Sequence, residues 1–489
     1  MKISEWMVQS EVAFGTSGAR GLVTSMTDAV CFAYTVGYLM YLETVGEFSA
    51  GMPVAIAGDL RPSTPRILRA CAAAIVWMKG KPVYCGQVPT PALSLYAFSQ
   101  HVPSLMVTGS HIPSDRNGIK FNRARGEFLK TDEAIMREQD VNLPHGWFDD
   151  QGALTTDITL PPITDVLSQY IARYVEFFGR TALSGKTLGV YQHSAVGRDV
   201  LVSVIEALGG KAVPLGRSDV FVSVDTEAVR PEDIVLARDW AQNGEYDAIL
   251  TTDGDSDRPL LTDQYGHWIR GDVLGILAAQ SLDAASVTTP VSSNTALEAS
   301  GIVSSVCRTR IGSPYVVTGM MDAVKAGNIP SVGYEANGGF LLASDISRQG
   351  KFLAALPTRD AVLPMICVLT SVQDRQRGVA GLLEALPPRF TQSDRLQDIP
   401  GKQSAARLAI LREDVAGVSE ALGFVAACGS VANVDETDGI RITFQKGDII
   451  HLRPSGNAPE LRVYVEASTP QRAGELLTLG MTAVDRWMR

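Results

Sequence analysis

The sequence lacks any cysteine pattern typical of a disulfide framework or a zinc site. Its six cysteines are scattered over 489 residues, and no two of them form a C-x-x-C pair. Most of them lie in apolar runs, which is typical of buried free thiols in a reducing compartment.

Long apolar runs and an excess of positive charge are missing as well. The N-terminal stretch MKISEWMVQSEVAFG has no signal-peptide core, and no run of about 18 apolar residues occurs in the sequence. The 43 Lys and Arg against 53 Asp and Glu give a net charge of −10. We therefore expect a cytoplasmic protein that neither spans a membrane nor binds nucleic acid. An anionic ligand would need cations concentrated locally in a cleft.

Strand, polar loop and helix alternate over most of the chain. Examples are the strand Val54–Gly58, the helix Arg66–Trp77 and the strand Val83–Gln87. The alternation predicts parallel sheets whose loops gather at one edge. The last hundred or so residues differ, because strand runs joined by a tight turn at Lys446–Asp448 predict an antiparallel sheet. A single helix is expected there over Ser404–Ala421.

The stretch around Ser110 is the first candidate for chemistry. The apolar run Leu105–Val107 predicts a buried strand. The residues after it include the turn formers Gly109, Pro113, Asp115, Asn117 and Gly118. Ser110 therefore lies at the end of a strand, where ligands bind in open α/β sheets. With Lys120 expected in the same loop, its hydroxyl is a candidate nucleophile or phosphate acceptor, although a serine there is more often an ordinary loop or cap residue.

Ser110 needs partners from elsewhere in the chain. Thr108 stands where a hydrolase nucleophile elbow requires glycine, which excludes that class. In an extended chain His111 would point away from Ser110 and make a poor partner base. Asp59, Arg61 and Thr90 follow other strands, so the topology should bring them to Ser110.

The most specific chemical signal is the run Thr252–Arg258, TDGDSDR. Its three aspartates at alternate positions, Asp253, Asp255 and Asp257, offer hard oxygen ligands that suit Mg²⁺ or Ca²⁺. An EF-hand is excluded, because its sixth position would be Arg258 and its twelfth Gln264. An exposed acidic turn is the remaining alternative. Three carboxylates leave room in an octahedral shell for a phosphate oxygen.

Other loops could hold an anion or a sugar. Arg20 lies in the glycine-rich run FGTSGARG, and Arg310 lies at the start of a predicted helix. Glu335 and Asn337 could hydrogen-bond vicinal hydroxyls. Arg453, the Ser455 hydroxyl and the amides of residues 455–457 form a candidate phosphate cradle.

Five of these loops match one family in order and spacing. FGTSGARG, TGSHIPSDRNGIKF, DGDSDR, YEANGG and RPSGNAPELRVYVEA resemble the corresponding loops of the α-D-phosphohexomutases. The resemblance spans essentially the whole chain. It implies three similar α/β domains with mixed, mostly parallel sheets and a C-terminal α+β domain, arranged around a central active-site cleft. We place these domains at residues 1–155, 156–262, 263–375 and 376–489.

The resemblance also implies roles for the candidate residues. Ser110 would carry the phosphoryl group, and Mg²⁺ would be held by that group with Asp253, Asp255 and Asp257. The catalytic set would be Ser110, Lys120, Arg20, His111 and Arg258, with Lys120 as the general acid/base. The substrate-binding set would be Glu335, Asn337, Arg310, Arg453, Ser455, Gly456 and Asn457.

The implied reaction interconverts hexose 6-phosphates and 1-phosphates through a hexose 1,6-bisphosphate, which also serves as activator. The loops favour the phosphomannomutase branch, with a glucose or dual-specificity mutase as the alternative. A glucosamine enzyme or a non-catalytic sugar-phosphate sensor is the weaker reading, since a sensor should have lost Ser110, Lys120 or the aspartates. The expected partners are small hexose phosphates, and the expected assembly is a monomer or homodimer.

Two loops depart from the usual family pattern. Tyr334 precedes Glu335, Asn337 stands for Ser, and Gly339 stands for His. In the phosphate loop, Asn457-Ala458 stands for Thr-Glu. These changes leave the acid/base and metal groups intact, so we expect them to affect sugar choice more than catalysis.

Overall fold

A computed structural model describes residues 1–15, 18–455 and 459–489. The first part of the chain forms a mixed seven-stranded sheet with helices packed on it. Its elements are α1 (Ile3–Ser10), β1 (Ala13–Phe14), β2 (Ala19–Leu22), α2 (Asp28–Thr44), β3 (Pro53–Gly58), α3 (Thr64–Trp77), β4 (Lys81–Gln87), α4 (Thr90–Gln100), β5 (Ser104–Val107), β6 (Arg116–Arg123), β7 (Gly126–Glu127) and α5 (Lys130–Met136).

Strands of the first sheet run in the order β1-β2-β6-β5-β3-β4, with β7 paired to β6. β5, β3 and β4 are parallel, whereas β6 runs antiparallel between β5 and β2. Lys120 therefore lies on a strand, and the expectation that it belongs to the Ser110 loop is wrong. The turn-forming Gly118 fits this strand because a Cβ there would lie 2.7 Å from the Ala19 carbonyl oxygen. The pairing on both sides of β6 overrides the local turn preference.

The second sheet has the strand order β11-β10-β8-β9, with β8 parallel to β9 and β10, and β11 antiparallel to β10. Its stretch of chain contains α6 (Leu167–Phe178), β8 (Thr187–His193), α7 (Arg198–Ala207), β9 (Lys211–Arg217), α8 (Pro231–Asn243), β10 (Ala248–Thr252) and β11 (Pro259–Leu261).

The third sheet repeats this plan in the order β13-β12-β14-β15, with only β15 antiparallel to its neighbour. Its stretch of chain contains α9 (Gly271–Ser281), β12 (Ser286–Pro290), α10 (Ala296–Ser300), β13 (Ser305–Thr309), α11 (Ser313–Lys325), β14 (Ser331–Tyr334), β15 (Phe340–Leu342), β16 (Ile346–Arg348), β17 (Lys351–Leu353), α12 (Val362–Ser371) and α13 (Gly378–Glu384).

The fourth sheet is antiparallel throughout, in the order β18-β22-β21-β20-β19. Its elements are β18 (Phe390–Leu396), α14 (Gly401–Glu413), α15 (Val415–Ala421), α16 (Phe424–Cys428), β19 (Val431–Asp435), β20 (Ile440–Phe444), β21 (Ile449–Pro454), β22 (Leu461–Ala467) and α17 (Pro470–Met488). The single helix expected over Ser404–Ala421 is wrong. Asp414 ends α14 and caps α15, because its carboxylate accepts from the Gly417 amide at 2.9 Å.

The three α/β sheets share one feature that positions the site. In each sheet a loop connects a parallel strand to its antiparallel neighbour: β5 to β6, β10 to β11 and β14 to β15. These three loops carry Ser110, the aspartate run and Glu335 respectively. One apolar core links residues from all three of these sheets, whereas the fourth sheet has a core of its own. None of the helices in the described ranges is both long and apolar enough to cross a membrane.

Candidate active site

The loop that carries Ser110 is shaped by the buried side chain of Arg61. Arg61 is 1% exposed, and its Nε lies 3.2 Å from Oδ2 of Asp59. Its Nη2 donates to the Ser110 carbonyl oxygen at 2.9 Å, and its Nη1 donates to the Pro113 carbonyl oxygen at 2.7 Å. Thr108 Oγ1 donates to the same aspartate at 2.7 Å. The predicted convergence of Asp59 and Arg61 on Ser110 is confirmed.

The Ser110 hydroxyl points into residues 252–258 of the second sheet, the candidate metal loop. Its Oγ donates to Oδ2 of Asp253 at 2.6 Å, across 143 residues of sequence. Ser110 is fully buried and has a φ of 55°, in the left-handed region. This conformation costs free energy in a residue with a Cβ, and the contacts around the loop hold it in place.

His111 lies differently from the expectation. Because Ser110 is left-handed rather than extended, His111 turns back and its Nδ1 lies 3.3 Å from Ser110 Oγ. Arg258 Nη1 lies 2.9 Å from the same nitrogen, and since arginine can only donate, His111 Nδ1 accepts. Burial and the charge of Arg258 lower the pKa of His111 to about 3. The ring is a poor base, although the reason is its environment and not its direction.

The three aspartates form a compact group of ligands. Asp253, Asp255 and Asp257 are all buried, and one carboxylate oxygen from each lies within 4.8 Å of the others. Thr90 Oγ1 donates to Oδ2 of Asp255 at 2.5 Å, which confirms that the loop after β4 also reaches this point. Oδ1 of Asp255 and Oδ1 of Asp257 are buried without a hydrogen-bond partner among the described residues.

These unpaired oxygens fit a divalent cation. A buried carboxylate oxygen without a donor is costly, and a cation placed between three carboxylates removes the cost. Burial and repulsion by Asp255 and Asp257 raise the pKa of Asp253 to about 8. A cation beside Asp253 would oppose that shift, and the all-oxygen donor set suits a hard ion.

Lys120, on β6 of the first sheet, contacts the three-aspartate group. Its Nζ donates to Oδ2 of Asp255 and to Oδ2 of Asp257, both at 2.6 Å. Burial disfavours the charged ammonium, but the two carboxylates outweigh burial and raise the pKa of Lys120 above its ordinary value. Lys120 is thus a protonated side chain, and it leaves Oδ1 of each aspartate available to a metal.

Three arginines surround the same group. Arg258 Nε lies 3.8 Å from Oδ1 of Asp257. Burial and the neighbouring charge of Arg258 lower the pKa of Arg20 to about 10. The third arginine, Arg359, lies with its Nε 3.4 Å from Oδ2 of Asp257 and its Nη1 3.4 Å from Oε2 of Glu335. The sequence did not single out Arg359, because it belongs to none of the five motifs.

The candidate sugar loop, residues 335–339, lies beside Arg359. Glu335 and Asn337 are buried in the turn between β14 and β15, and burial raises the pKa of Glu335. The Asn337 carboxamide oxygen accepts from the Gly339 amide at 3.0 Å, which fixes the turn. Thr226, from the second sheet's stretch of chain, donates through Oγ1 to the Asn337 carbonyl oxygen at 2.6 Å.

The candidate phosphate-binding residues Arg310 and Arg453 lie together in a separate cavity. Arg310 and Arg453 both line a polar cavity of about 570 Å³, to which Lys130 also contributes. Arg453 Nε donates to Oδ2 of Asp438 at 2.8 Å, and the Ser455 amide donates to the Glu460 carbonyl oxygen at 2.8 Å. Gly456 and Asn457 lie outside the described residues. The cavity lies between the first, third and fourth sheets, and its lining carries both cationic and acidic side chains, the latter being Glu133, Glu436 and Asp438.

Comparison with known proteins agrees with this architecture. Three models of the phosphoglucomutase/phosphomannomutase family match the chain: alpha/beta/alpha domain I at residues 11–140, alpha/beta/alpha domain III at 270–390 and the C-terminal domain at 394–478. These matches define the protein's class as that of the phosphohexose mutases, enzymes of intramolecular phosphoryl transfer. The chain belongs to the phosphoglucomutase/phosphomannomutase family.

Individual relatives cover nearly the whole chain. A phosphomannomutase of Salmonella muenchen is 43% identical, over 95% of this chain and 94% of its own length. A phosphomannomutase of Sinorhizobium fredii is 41% identical, over 97% and 99%. The crystal structure of a phosphoglucomutase/phosphomannomutase family protein from Burkholderia thailandensis shares the fold, with a TM-score of 0.71 at 19% identity over 96% of this chain and 97% of that one.

Proposed function

We propose that the protein is a phosphomannomutase that interconverts mannose 6-phosphate and mannose 1-phosphate through phospho-Ser110 and a mannose 1,6-bisphosphate. The observation that carries the proposal is the 2.6 Å hydrogen bond from Ser110 Oγ to Asp253, inside a carboxylate group ready for a cation. The two phosphomannomutases at 43% and 41% identity support mannose as the sugar.

Asp253, Asp255, Asp257 and the phosphate on Ser110 would hold the metal, which we propose to be Mg²⁺. When bound, the ion supplies positive charge against the oxygens of the phosphoryl group. The unpaired Oδ1 atoms of Asp255 and Asp257 support this assignment.

The protein's own side chains stabilise the transferring group. Phosphoryl transfer disperses charge over three oxygens, so catalysis consists mostly of positioning and electrostatic stabilisation. Arg20, Lys120 and Arg258 supply fixed positive charge around Ser110. Lys120 and Arg258 are held in place before substrate binds, because Lys120 is bonded to two aspartates and Arg258 to His111.

Lys120 carries the proton in our proposal. As the bond from phosphorus to Ser110 Oγ breaks, the bond from phosphorus to the sugar oxygen forms. Lys120 gives a proton to Oγ and takes the proton of the sugar hydroxyl, so the net movement is from the sugar to Ser110. The raised pKa of Lys120 means that this side chain starts the step protonated at neutral pH.

The bisphosphate must then turn over and return its other phosphate to Ser110. Glu335 and Asn337 would hold sugar hydroxyls, while Arg310, Arg453 and the loop of residues 455–457 would hold the phosphate that is not reacting. The separate core of the fourth sheet would let this phosphate grip move as a unit. We propose the boundaries 1–155, 156–262, 263–375 and 376–489 for the four domains.

The test is a comparison of kcat/KM for mannose 1-phosphate and glucose 1-phosphate, with Mg²⁺ and a bisphosphate activator. We expect a bias of at least ~10-fold toward mannose, the size of difference that a few contacts to one hydroxyl can produce. Equal values would replace the proposal with a dual-specificity mutase.

A second measurement tests the phosphoserine. Incubation with glucose 1,6-bisphosphate labelled with ³²P should leave one label per chain, on the peptide that contains Ser110. Ser110→Ala should remove the label, while Ser203→Ala, on the exposed side of α7, should keep it. Label elsewhere, or none, would contradict the mechanism.

A further inference from the structure

Arg359 is a buried cation that the five motifs leave without a role. It is 3% exposed and lies between β17 and α12. The next residue, Asp360, anchors this segment, because its carboxylate accepts from the hydroxyls of Tyr170 and Tyr174 at 2.8 Å and its amide donates to the Phe340 carbonyl oxygen at 2.8 Å. Arg359 is therefore held on a rigid base.

The guanidinium of Arg359 bridges two functional loops. It approaches Asp257 of the metal loop and Glu335 of the sugar loop, each at 3.4 Å. Both contacts are longer than a strong charge-assisted hydrogen bond of about 2.7–2.9 Å. Its Nε is buried without a hydrogen-bond partner among the described residues. The acceptor nearest to Nε, Oδ2 of Asp257, lies beyond the length of a strong hydrogen bond, so Nε keeps its capacity to donate to a ligand oxygen.

The position of Arg359 also accounts for a departure in the sugar loop. A Cβ at Gly339 would lie 2.4 Å from Cδ of Arg359, so no side chain fits at position 339 while Arg359 is in place. Position 339 is where the resembling loops more often carry His. The Arg359 side chain occupies the space that such a histidine would need, and it brings a permanent charge to that space.

We propose that Arg359 is a catalytic residue that binds the phosphoryl group as it passes between Ser110 and the sugar hydroxyl. Glu335 holds the sugar on one side of the guanidinium, and the metal loop holds the phosphate on the other. An oxygen shared by sugar and phosphate must lie between these two groups, within reach of the unpaired Nε. The inference rests on the proposed mutase function and extends it by a fourth cation.

The test compares Arg359→Met, Arg359→Lys and Arg173→Met. Arg173 is a matched control, because it is also a buried arginine but donates to the Ala354 carbonyl oxygen at 2.6 Å instead of facing the cleft. Loss of one preorganised donor to a transition state costs roughly 10²–10³-fold in kcat. We expect this loss in Arg359→Met, with KM changed less than about threefold, and a kcat within about twofold of wild type in Arg173→Met.

Chemical rescue separates binding of the phosphoryl group from a structural role. Guanidinium ion at about 50 mM should restore part of the kcat of Arg359→Ala, because the free ion can enter the space of the lost side chain. The same concentration should not raise the kcat of wild type or Arg173→Met. A merely structural arginine would give variants that lose thermal stability and kcat together and gain nothing from guanidinium.

The outcomes distinguish this inference from the mutase proposal. If the wild-type protein does not convert mannose phosphates, the proposed function fails. If wild type is active and folded Arg359→Met keeps its kcat, only the role of Arg359 is wrong. Should Arg359→Met fail to fold, Arg359→Lys decides: a kcat at least ~10-fold below wild type at a similar Tm supports the inference, since lysine lacks the planar set of donors. An unchanged kcat overturns it.

Discussion

Arg61 donates from Nη2 to the main-chain oxygen of Ser110 at 2.9 Å, so an arginine 49 residues away holds the candidate nucleophile in its left-handed conformation. The same guanidinium also bonds the carbonyl oxygens of Ile112, Pro113 and Arg116. The ring of Phe221 covers it, with Cζ 4.0 Å from the ring centroid. One planar cation thus shapes the whole loop, and its role is to position Ser110 without touching substrate.

Arg61→Lys should lower kcat far more than it lowers stability. Lysine keeps the charge opposite buried Asp59 but cannot reach four carbonyl oxygens at once, so Ser110 Oγ would lose its fixed position. We expect kcat to fall roughly 10²-fold, as for a small misplacement of a reacting group. Arg61→Met should in addition lower the free energy of unfolding by about 3–5 kcal/mol, because it leaves Asp59 buried and unpaired. Steady-state kinetics and urea unfolding measure both. An unchanged kcat in Arg61→Lys would show that the loop holds its own shape.

Lys120→Met should abolish most of the phosphoryl transfer. It removes the proposed proton carrier, whose contribution is typically about 10²–10⁴-fold. Rapid mixing of ³²P-labelled phospho-Ser110 enzyme with mannose 1-phosphate measures the transfer step directly. Lys325→Met is a suitable control, because Lys325 is an exposed lysine at the end of α11 whose Nζ pairs with Asp322 at 3.0 Å. Transfer at the wild-type rate in Lys120→Met would assign the proton to another group.

Asp255→Asn should raise the Mg²⁺ concentration that gives half-maximal activity. The change removes one charge and one ligand from the metal group while keeping the shape of the side chain. Even the loss of an outer hydrogen bond to a metal ligand costs about 10–100-fold in affinity, so we expect at least that. Asp263→Asn controls for loss of a buried carboxylate, since Asp263 caps the turn after β11 and is no part of the metal group. Equal Mg²⁺ dependence in both variants would place the ion elsewhere.

His193 should make the protein less stable in mild acid. Its Nε2 lies 2.8 Å from the Thr252 carbonyl oxygen, and its Nδ1 has no partner in the described structure. Burial lowers the pKa of His193 to about 4, whereas in the unfolded chain it is about 6.5. Between these values the unfolded state binds more protons, so the contribution is complete above pH 6.5 and is lost as pH falls toward 4.

The His193 effect can be measured by urea unfolding at pH 7 and pH 5. Wild type should lose about 2 kcal/mol on account of this residue. His193→Gln keeps a donor for the Thr252 oxygen and should lose correspondingly less, while His145→Gln, at an exposed position, should behave as wild type. If His193→Gln loses as much stability as wild type, the acid sensitivity arises at other groups.

The sequence was sufficient for the groups that lie in motifs at strand ends. Thr90 and Ser110 lie close together as the strand topology predicts, because parallel strands deliver their following loops to one edge of a sheet. The three aspartates belong to another sheet, and their place beside Ser110 is the one that the family resemblance implies. The division into three α/β sheets and one antiparallel sheet is confirmed as well. The alternation of strands, loops and helices and the residue types of the loops are local properties, so they can be predicted from the sequence.

What the sequence could not show depends on approach between distant segments. Arg359 stands in a stretch without motif, and only the packing of that segment onto Gly339 brings it to Glu335. Asn117 and Gly118 favour turns and therefore predict a loop at Lys120, but two neighbouring strands impose an extended chain. The direction of His111 depended on one dihedral angle of Ser110, which composition does not reveal. The break at Asp414 could have been predicted, because Asp414, Val415 and Gly417 are weak helix formers and Asp is a favoured N-cap.

The hydrogen bond between Ser110 and Asp253 joins residues that are synthesised at different times. A ribosome adds about 5–20 residues per second, so the 143 residues that separate the two groups take roughly 7–30 s to make. During that interval the nascent chain contains Ser110 and Arg61, but it lacks Asp253 and the other two aspartates that would hold the cation. Competence for phosphorylation is therefore acquired only when the second sheet has emerged, and a chain released earlier would carry the serine without the means to use it.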